Sequence, residues 1–253
     1  MIKIEKMKKI IVLCLMALLP VSQMKSIDVL NFGDSVAAGA KSNKLTYAQM
    51  VVDILGGKVL ASPATPGHKL ADIRKQIEVT IRTPYCPDVV FLEGSLNDMM
   101  GPSKTGKGKK QYTVESFNSE GITLGEFKPF DYSIPTGTDL SLTGQVEYIM
   151  YTIKKNYPNA IPIWVLTHRT ARRNAELQEV CYERIIACAK KWNVVVVDIF
   201  HEGTLNGMLV SLCPGMTDAH AKEKGAGTHP TKLGYEKYYV PMLIDAVNKY
   251  YRH

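Results

Sequence analysis

Cysteine is scarce in this chain, five in 253 residues, and Cys86, Cys181, Cys188 and Cys213 follow no zinc-ligand spacing. Neither a metal nor a cofactor is expected. Cys181 and Cys188 stand seven apart on a predicted helix, about 10 Å of rise, too far to bridge each other. They read as small buried groups, and any disulfide needs Cys86 or Cys213. Long apolar runs are missing too. Ile10 to Leu19 is ten residues, whereas crossing a bilayer takes about 20. No Gly-x-Gly-x-x-Gly or Gly-Lys-Ser/Thr run follows a strand, so a nucleotide binder would lack its usual backbone cradle. No internal repeat and no second domain are visible.

Charge of one sign is also in short supply. The formal net charge is +7, and the first nine residues hold +3 of it through Lys3, Lys6, Lys8 and Lys9 against Glu5. The remaining +4 is matched by a run at 104–110, namely Lys104, Lys107, Lys109 and Lys110. A solvated loop is the plain reading of that run, with contact to an anionic surface as the alternative. No nucleic-acid partner is expected.

What is present describes a globular chain with an export leader. Hydrophobic residues make up 45% and charged ones 22%, ordinary values for a domain able to bury a core. A lysine-rich start, the ten apolar residues and Pro20-Val-Ser-Gln-Met24 have the layout of a signal peptide over about residues 1–23, with cleavage between Ser22 and Ser26. Export to a secreted or periplasmic location is expected, with no stable membrane insertion afterwards. An apolar N-terminal helix, or a true start at Met24, are the other readings.

Short apolar runs alternate with amphipathic stretches, a βαβ pattern that predicts an α/β fold with a parallel sheet. Strands are predicted at 27–31, 58–61, 88–93, 161–167 and 194–199. Helices are predicted at 46–55, 70–82, 142–156, 171–192 and from about Thr231 to Tyr250, with Thr143 or Ser141 capping the third and Pro241 bending the last. Over about 101–140 the pattern fades into Gly, Ser, Thr, Lys and Pro. This reads as an insertion able to wall a site, with short strands near 122–127.

Ligands in open parallel sheets bind beyond the carboxyl ends of the strands. Gly33-Asp34-Ser35, Gly67, Asn97-Asp98, Thr167-His168-Arg169 and Gly227-Thr228-His229-Pro230 all fall there or at the start of the last helix. One serine, one histidine, an amide and backbone donors are the parts needed for acyl transfer. Each part also has a plainer use. Ser35 can cap a helix, Asn97 can close a turn, Gly67 can be a turn glycine, and His229 can begin the last helix structurally.

Taken together, the blocks resemble the SGNH hydrolases, or GDSL esterase/lipase family. Asn31-Phe-Gly-Asp-Ser-Val-Ala-Ala-Gly39 is similar to the opening block, Gly67 to the glycine block, Asn97-Asp98 to the asparagine block and Thr228-His229-Pro230 to the histidine block. The four run in order over residues 27–240. The resemblance implies a three-layer α/β/α, flavodoxin-like sheet of five parallel strands in the order 2-1-3-4-5. It further implies a single domain over 24–253, with Ser35 as nucleophile, His229 as general base, and Ser35, Gly67 and Asn97 holding the oxyanion. The expected function is hydrolysis of carboxylic esters of small acyl groups, O-acetyl on carbohydrate among them. Asp34 is expected to brace the loop, while His168, Arg169 and Thr228 contact substrate or pack behind the site.

Two positions depart from the family pattern. Ser95 stands where a glycine is usual, and the turn is expected to survive. Ala226 stands where the family has its acid, three residues before the histidine. Either His229 works as a dyad held by a backbone carbonyl, or Asp218, Glu223 or Asp198 supplies the carboxylate, or the protein is an impaired or purely glycan-binding relative.

Overall fold

The computed structural model describes residues 26–102, 109–208, 213–218 and 227–251. The predicted leader, Lys104, Lys107, Glu223 and Ala226 lie outside them. β1 (Ile27–Phe32), β2 (Gly57–Ala61) and β3 (Val89–Leu92) are joined by α1 (Tyr47–Leu55) and α2 (Leu70–Thr80). A small hairpin, β4 (Met100–Pro102) and β5 (Lys109–Gln111), leads into α3 (Val114–Glu120). Then come α4 (Leu142–Asn156), β6 (Ile161–Leu166), α5 (Ala175–Trp192) and β7 (Val195–Asp198). The chain closes with α6 (Lys232–Gly234), a π-helical turn Tyr235–Tyr239 and α7 (Val240–Tyr251).

β1, β2, β3, β6 and β7 form one parallel sheet in the order β2-β1-β3-β6-β7. This is the expected 2-1-3-4-5 arrangement once the hairpin strands are set aside. Its central strands are apolar on both faces, and Val89, Val90, Phe91 and Leu92 are all fully buried, as a sheet covered by helices on both sides requires. α1 and α7 pack together on one face, and α2, α4 and α5 on the other. The chain leaves β1 toward β2 on one side and returns to β3 on the other. The switch point therefore opens a crevice between the ends of β1 and β3, directly below Ser35 and Asn97.

Local chemistry explains the boundaries. Thr46 caps α1 by accepting from Gln49 N at 3.0 Å, and Ser141 caps α4 by accepting from Gly144 N at 3.1 Å. α5 begins four residues later than predicted because Asn174 accepts from Leu177 N at 2.9 Å and sets the first turn there. That leaves Thr170 to Arg173 as a loop above the sheet. Pro241 lacks a backbone N–H, and the π-helical turn immediately before it absorbs the missing bond by widening.

The predicted strands at 122–127 are not formed. Leu142 N donates to Thr123 O at 3.0 Å and Thr143 N to Leu124 O at 3.1 Å, so this backbone satisfies the start of α4 rather than a neighbouring strand. The insertion pairs instead through β4 and β5. All four cysteines of the described chain are free, three buried and Cys86 exposed. Among the described residues no helix is long and apolar enough to cross a membrane.

Candidate active site

Ser35 sits in a turn gripped from several sides. Asp34 Oδ1 accepts from Val36 N at 2.9 Å, and Asp34 Oδ2 accepts from Asn97 Nδ2 at 2.8 Å. Beneath them Glu93 Oε2 accepts from Asp34 N at 3.0 Å and from Ala37 N at 3.3 Å. Gln76 brackets Gly33 by accepting from its N–H and donating to its carbonyl. Gly33 has to be glycine, since a Cβ there would lie 2.6 Å from Ala37 Cβ and 2.9 Å from Glu93 Oε2. Tyr235 donates its hydroxyl to Val36 O at 2.6 Å. Burial, and then the neighbouring Asp34 charge, hold the Glu93 carboxyl well above the ordinary carboxylate range. Asp34 thus braces the loop, as its sequence position suggested. Glu93 and Gln76 were not singled out from the sequence, although an acid closing the apolar run Val89–Leu92 was the available signal.

His229 approaches from the other end of the chain. The Ser35 hydroxyl lies 2.9 Å from His229 Nε2, and His229 Nδ1 lies 2.7 Å from Asp218 Oδ2. Asp218 Oδ1 also takes the His229 N–H at 3.3 Å. The two segments run antiparallel, with a bridge between Thr217 and Pro230 and with Asp218 N donating to His229 O at 2.9 Å. Burial raises the Asp218 carboxyl, but the hydrogen bonds from the His229 ring and from the His229 and Thr228 backbone outweigh it. The group therefore stays ionised at neutral pH. Of the candidate acids among the described residues, Asp218 is the one brought to His229, and Glu223 lies outside them. Asp198 is not, because it holds His201 N at 2.9 Å and His201 Nδ1 at 2.6 Å.

Behind the histidine loop, His168 is fully buried. Its Nε2 donates to Gly227 O at 2.7 Å, so Nδ1 is left to accept from the Tyr239 hydroxyl at 2.8 Å. Burial pushes its pKa down to about 4, and the ring stays neutral as a fixed strut. Thr228 ties the same loop to Thr170 through their hydroxyls, 2.9 Å apart. Arg169 points away from the site, pairing with Glu179 at 3.2 Å and stacking over Phe200. His168 and Arg169 therefore do not line the cleft, whereas Thr228 does.

The Ser35 and Gly67 backbone N–H groups have no partner among the described residues. Gly67 is exposed with φ +84°, and a Cβ there would meet nothing within 4 Å. Its glycine is needed for the left-handed backbone rather than for crowding. Asn97 donates to Asp34 Oδ2 and to His68 O at 3.0 Å, so both hydrogens of its amide are engaged. The cleft above, about 410 Å³, is lined by Ser35, Asn97, Thr228 and His229. Met100 and Lys109 of the inserted hairpin, with Arg172 and Arg173, complete its wall. The insertion does wall the site.

Ser95 keeps its turn at a cost. It adopts φ +95°, and its buried hydroxyl has no partner among the described residues. Such a backbone is strained for any residue with a Cβ. Ser95→Gly is expected to stabilise the fold by about 1 kcal/mol, read as a higher urea midpoint at unchanged slope. An unchanged or lower midpoint would contradict the strain.

No family model and no curated protein sequence matches the chain. Solved structures do match. The phospholipase A1 of Streptomyces albidoflavus is 14% identical with a TM-score of 0.56, covering 87% of this chain and 99% of its own. The lipase/acylhydrolase of Enterococcus faecalis is 16% identical with a TM-score of 0.53, covering 88% and 96%. A member of the lipolytic G-D-S-L family from Veillonella parvula is 13% identical with a TM-score of 0.53, covering 89% and 98%. The likeness is one of fold.

Proposed function

We propose that this chain, which has the fold of the SGNH (GDSL) hydrolases, is an exported serine hydrolase that cleaves carboxylic esters of small acyl groups. One observation carries the reading: Ser35, His229 and Asp218 form an unbroken hydrogen-bonded line at the mouth of the cleft. With Nδ1–H donated to Asp218, Nε2 of His229 is the basic nitrogen and faces the serine hydroxyl. Ser35 Oγ attacks the ester carbonyl while its proton passes to Nε2.

The tetrahedral oxyanion is taken by the Ser35 and Gly67 N–H groups and by the Asn97 amide, which turns one hydrogen from His68 O toward it. Collapse expels the alcohol, which receives the proton from Nε2. Water, activated by the same nitrogen, then hydrolyses the acyl-serine. The rival reading of an impaired or glycan-binding relative drew on Ala226. A carboxylate 2.7 Å from His229 Nδ1 supplies what that position lacks.

Incubation with para-nitrophenyl acetate is expected to release nitrophenolate, and a fluorophosphonate is expected to label wild type but not Ser35→Ala. The absence of both turnover and labelling would overturn the proposal.

A further inference from the structure

Several basic side chains elsewhere in the fold have acidic partners, while others rest on rings or neutral acceptors, as Arg74 does over Tyr148 and Arg184 on Gly125 O and the Thr143 hydroxyl. Lys110 pairs with Glu120 at 3.2 Å, Lys191 with Glu147 at 2.6 Å and Arg169 with Glu179 at 3.2 Å. Three cations that line the Ser35 cleft do not. Lys109, Arg172 and Arg173 form no ion pair among the described residues.

Arg173 is the most informative. It is only 5% exposed, and burial holds its pKa down while the nearby Asp34 and Asp98 carboxylates partly offset that without pairing with it directly. Its guanidinium is held in place by two neutral acceptors, Nε donating to Leu96 O and Nη1 to Arg172 O at 2.9 Å. Nη2 is left without an acceptor among the described residues, on a side chain that forms cleft wall. With Nε and Nη1 engaged, Nη2 is left as a fixed, charged donor able to hydrogen-bond one oxygen of a carboxylate or a phosphate. Arg172 and Lys109 stand exposed in the same wall, one from the loop before α5 and the other from β5.

Building on the esterase reading, we propose that Arg173, Arg172 and Lys109 form an anion subsite beside Ser35, so that the preferred ester carries a carboxylate or phosphate on the same molecule. The anion completes Arg173's hydrogen bonding, and the two exposed cations draw it in over a distance that salt shortens. The hairpin insertion thereby helps select substrate, since it brings Lys109 to a site whose nucleophile sits in the turn after β1.

The test compares three mono-O-acetyl sugars with matched acetate leaving positions: a neutral hexose, a hexuronic acid and a hexose phosphate. At low salt one of the anionic esters is expected to exceed the neutral one in kcat/KM by about tenfold or more, with the excess shrinking as NaCl is added. Which anionic ester leads identifies the group as carboxylate or phosphate. Arg172→Ala and Lys109→Ala, both at exposed positions, are expected to cut that preference severalfold. A preference of one or below in wild type, or one unmoved by both substitutions, would overturn the subsite. Calorimetry of the wild-type protein with free hexuronic acid, hexose phosphate and hexose reads the subsite without turnover. Tighter binding of either anion with no ester cleaved would discard the esterase reading and keep the subsite; equal or absent binding of all three would discard the subsite.

Discussion

Asp218→Asn is expected to lower kcat by about 10⁴, the loss seen when the acid of a serine triad becomes its amide. The side chain keeps its shape and can still touch His229, so substrate affinity and folding are expected to change little. What is lost is the choice of tautomer and the negative charge opposite the imidazolium that forms as Ser35 gives up its proton. Asp198→Asn is the matched control. Its carboxylate serves His201 rather than His229, and turnover is expected to stay within about twofold, the scatter of a surface change. Ala226→Asp is expected to add nothing, because Nδ1 of His229 already has its acceptor. Steady-state kinetics on one chromogenic ester reads all three, and an Asp218→Asn enzyme as fast as wild type would remove Asp218 from the mechanism.

Asn97→Ala is the second large effect, about 10²–10³ in kcat for the loss of one oxyanion donor. This residue carries a double duty. Its amide hydrogens rest on Asp34 Oδ2 and His68 O in the free protein, and only one of them can be turned toward an oxyanion while the other keeps the Ser35 turn in place. The drop is therefore expected in kcat with KM nearly unmoved, because the ground-state carbonyl needs little of that donor. Asn97→Asp, which keeps the shape but places a negative charge where charge develops, is expected to be at least as slow. A loss confined to KM would assign Asn97 to substrate binding alone.

The sheet and most helices were legible because their signals are local. Thr46 and Ser141 announce helix starts, Gly56-Gly57 a stop, and the buried runs at 27–32 and 89–92 alternate with amphipathic stretches. The parts of the site were legible as short blocks. Their assembly was not. Asp218 was one of three candidate acids, and only the antiparallel pairing of 217–218 with 229–230 distinguishes it, a tertiary fact that spacing does not encode. Glu93 reads as an ordinary strand end until two backbone N–H groups are found resting on it. Arg173 was hidden inside a predicted helix that starts later, and the strands expected near 122–127 failed because their backbone groups are claimed by α4. In each case a long-range partner decided against the local preference.

The last helical segment ties the two halves of the proposed reactive pair to one another. Tyr235 holds Val36 O in the turn of Ser35, and Tyr239 holds His168, the strut of the histidine loop. Tyr235 lies 199 residues along the chain from Val36, so the contact is a long-range one. Loss of either hydroxyl, as in Tyr235→Phe or Tyr239→Phe, is therefore expected to loosen one half of the proposed reactive pair.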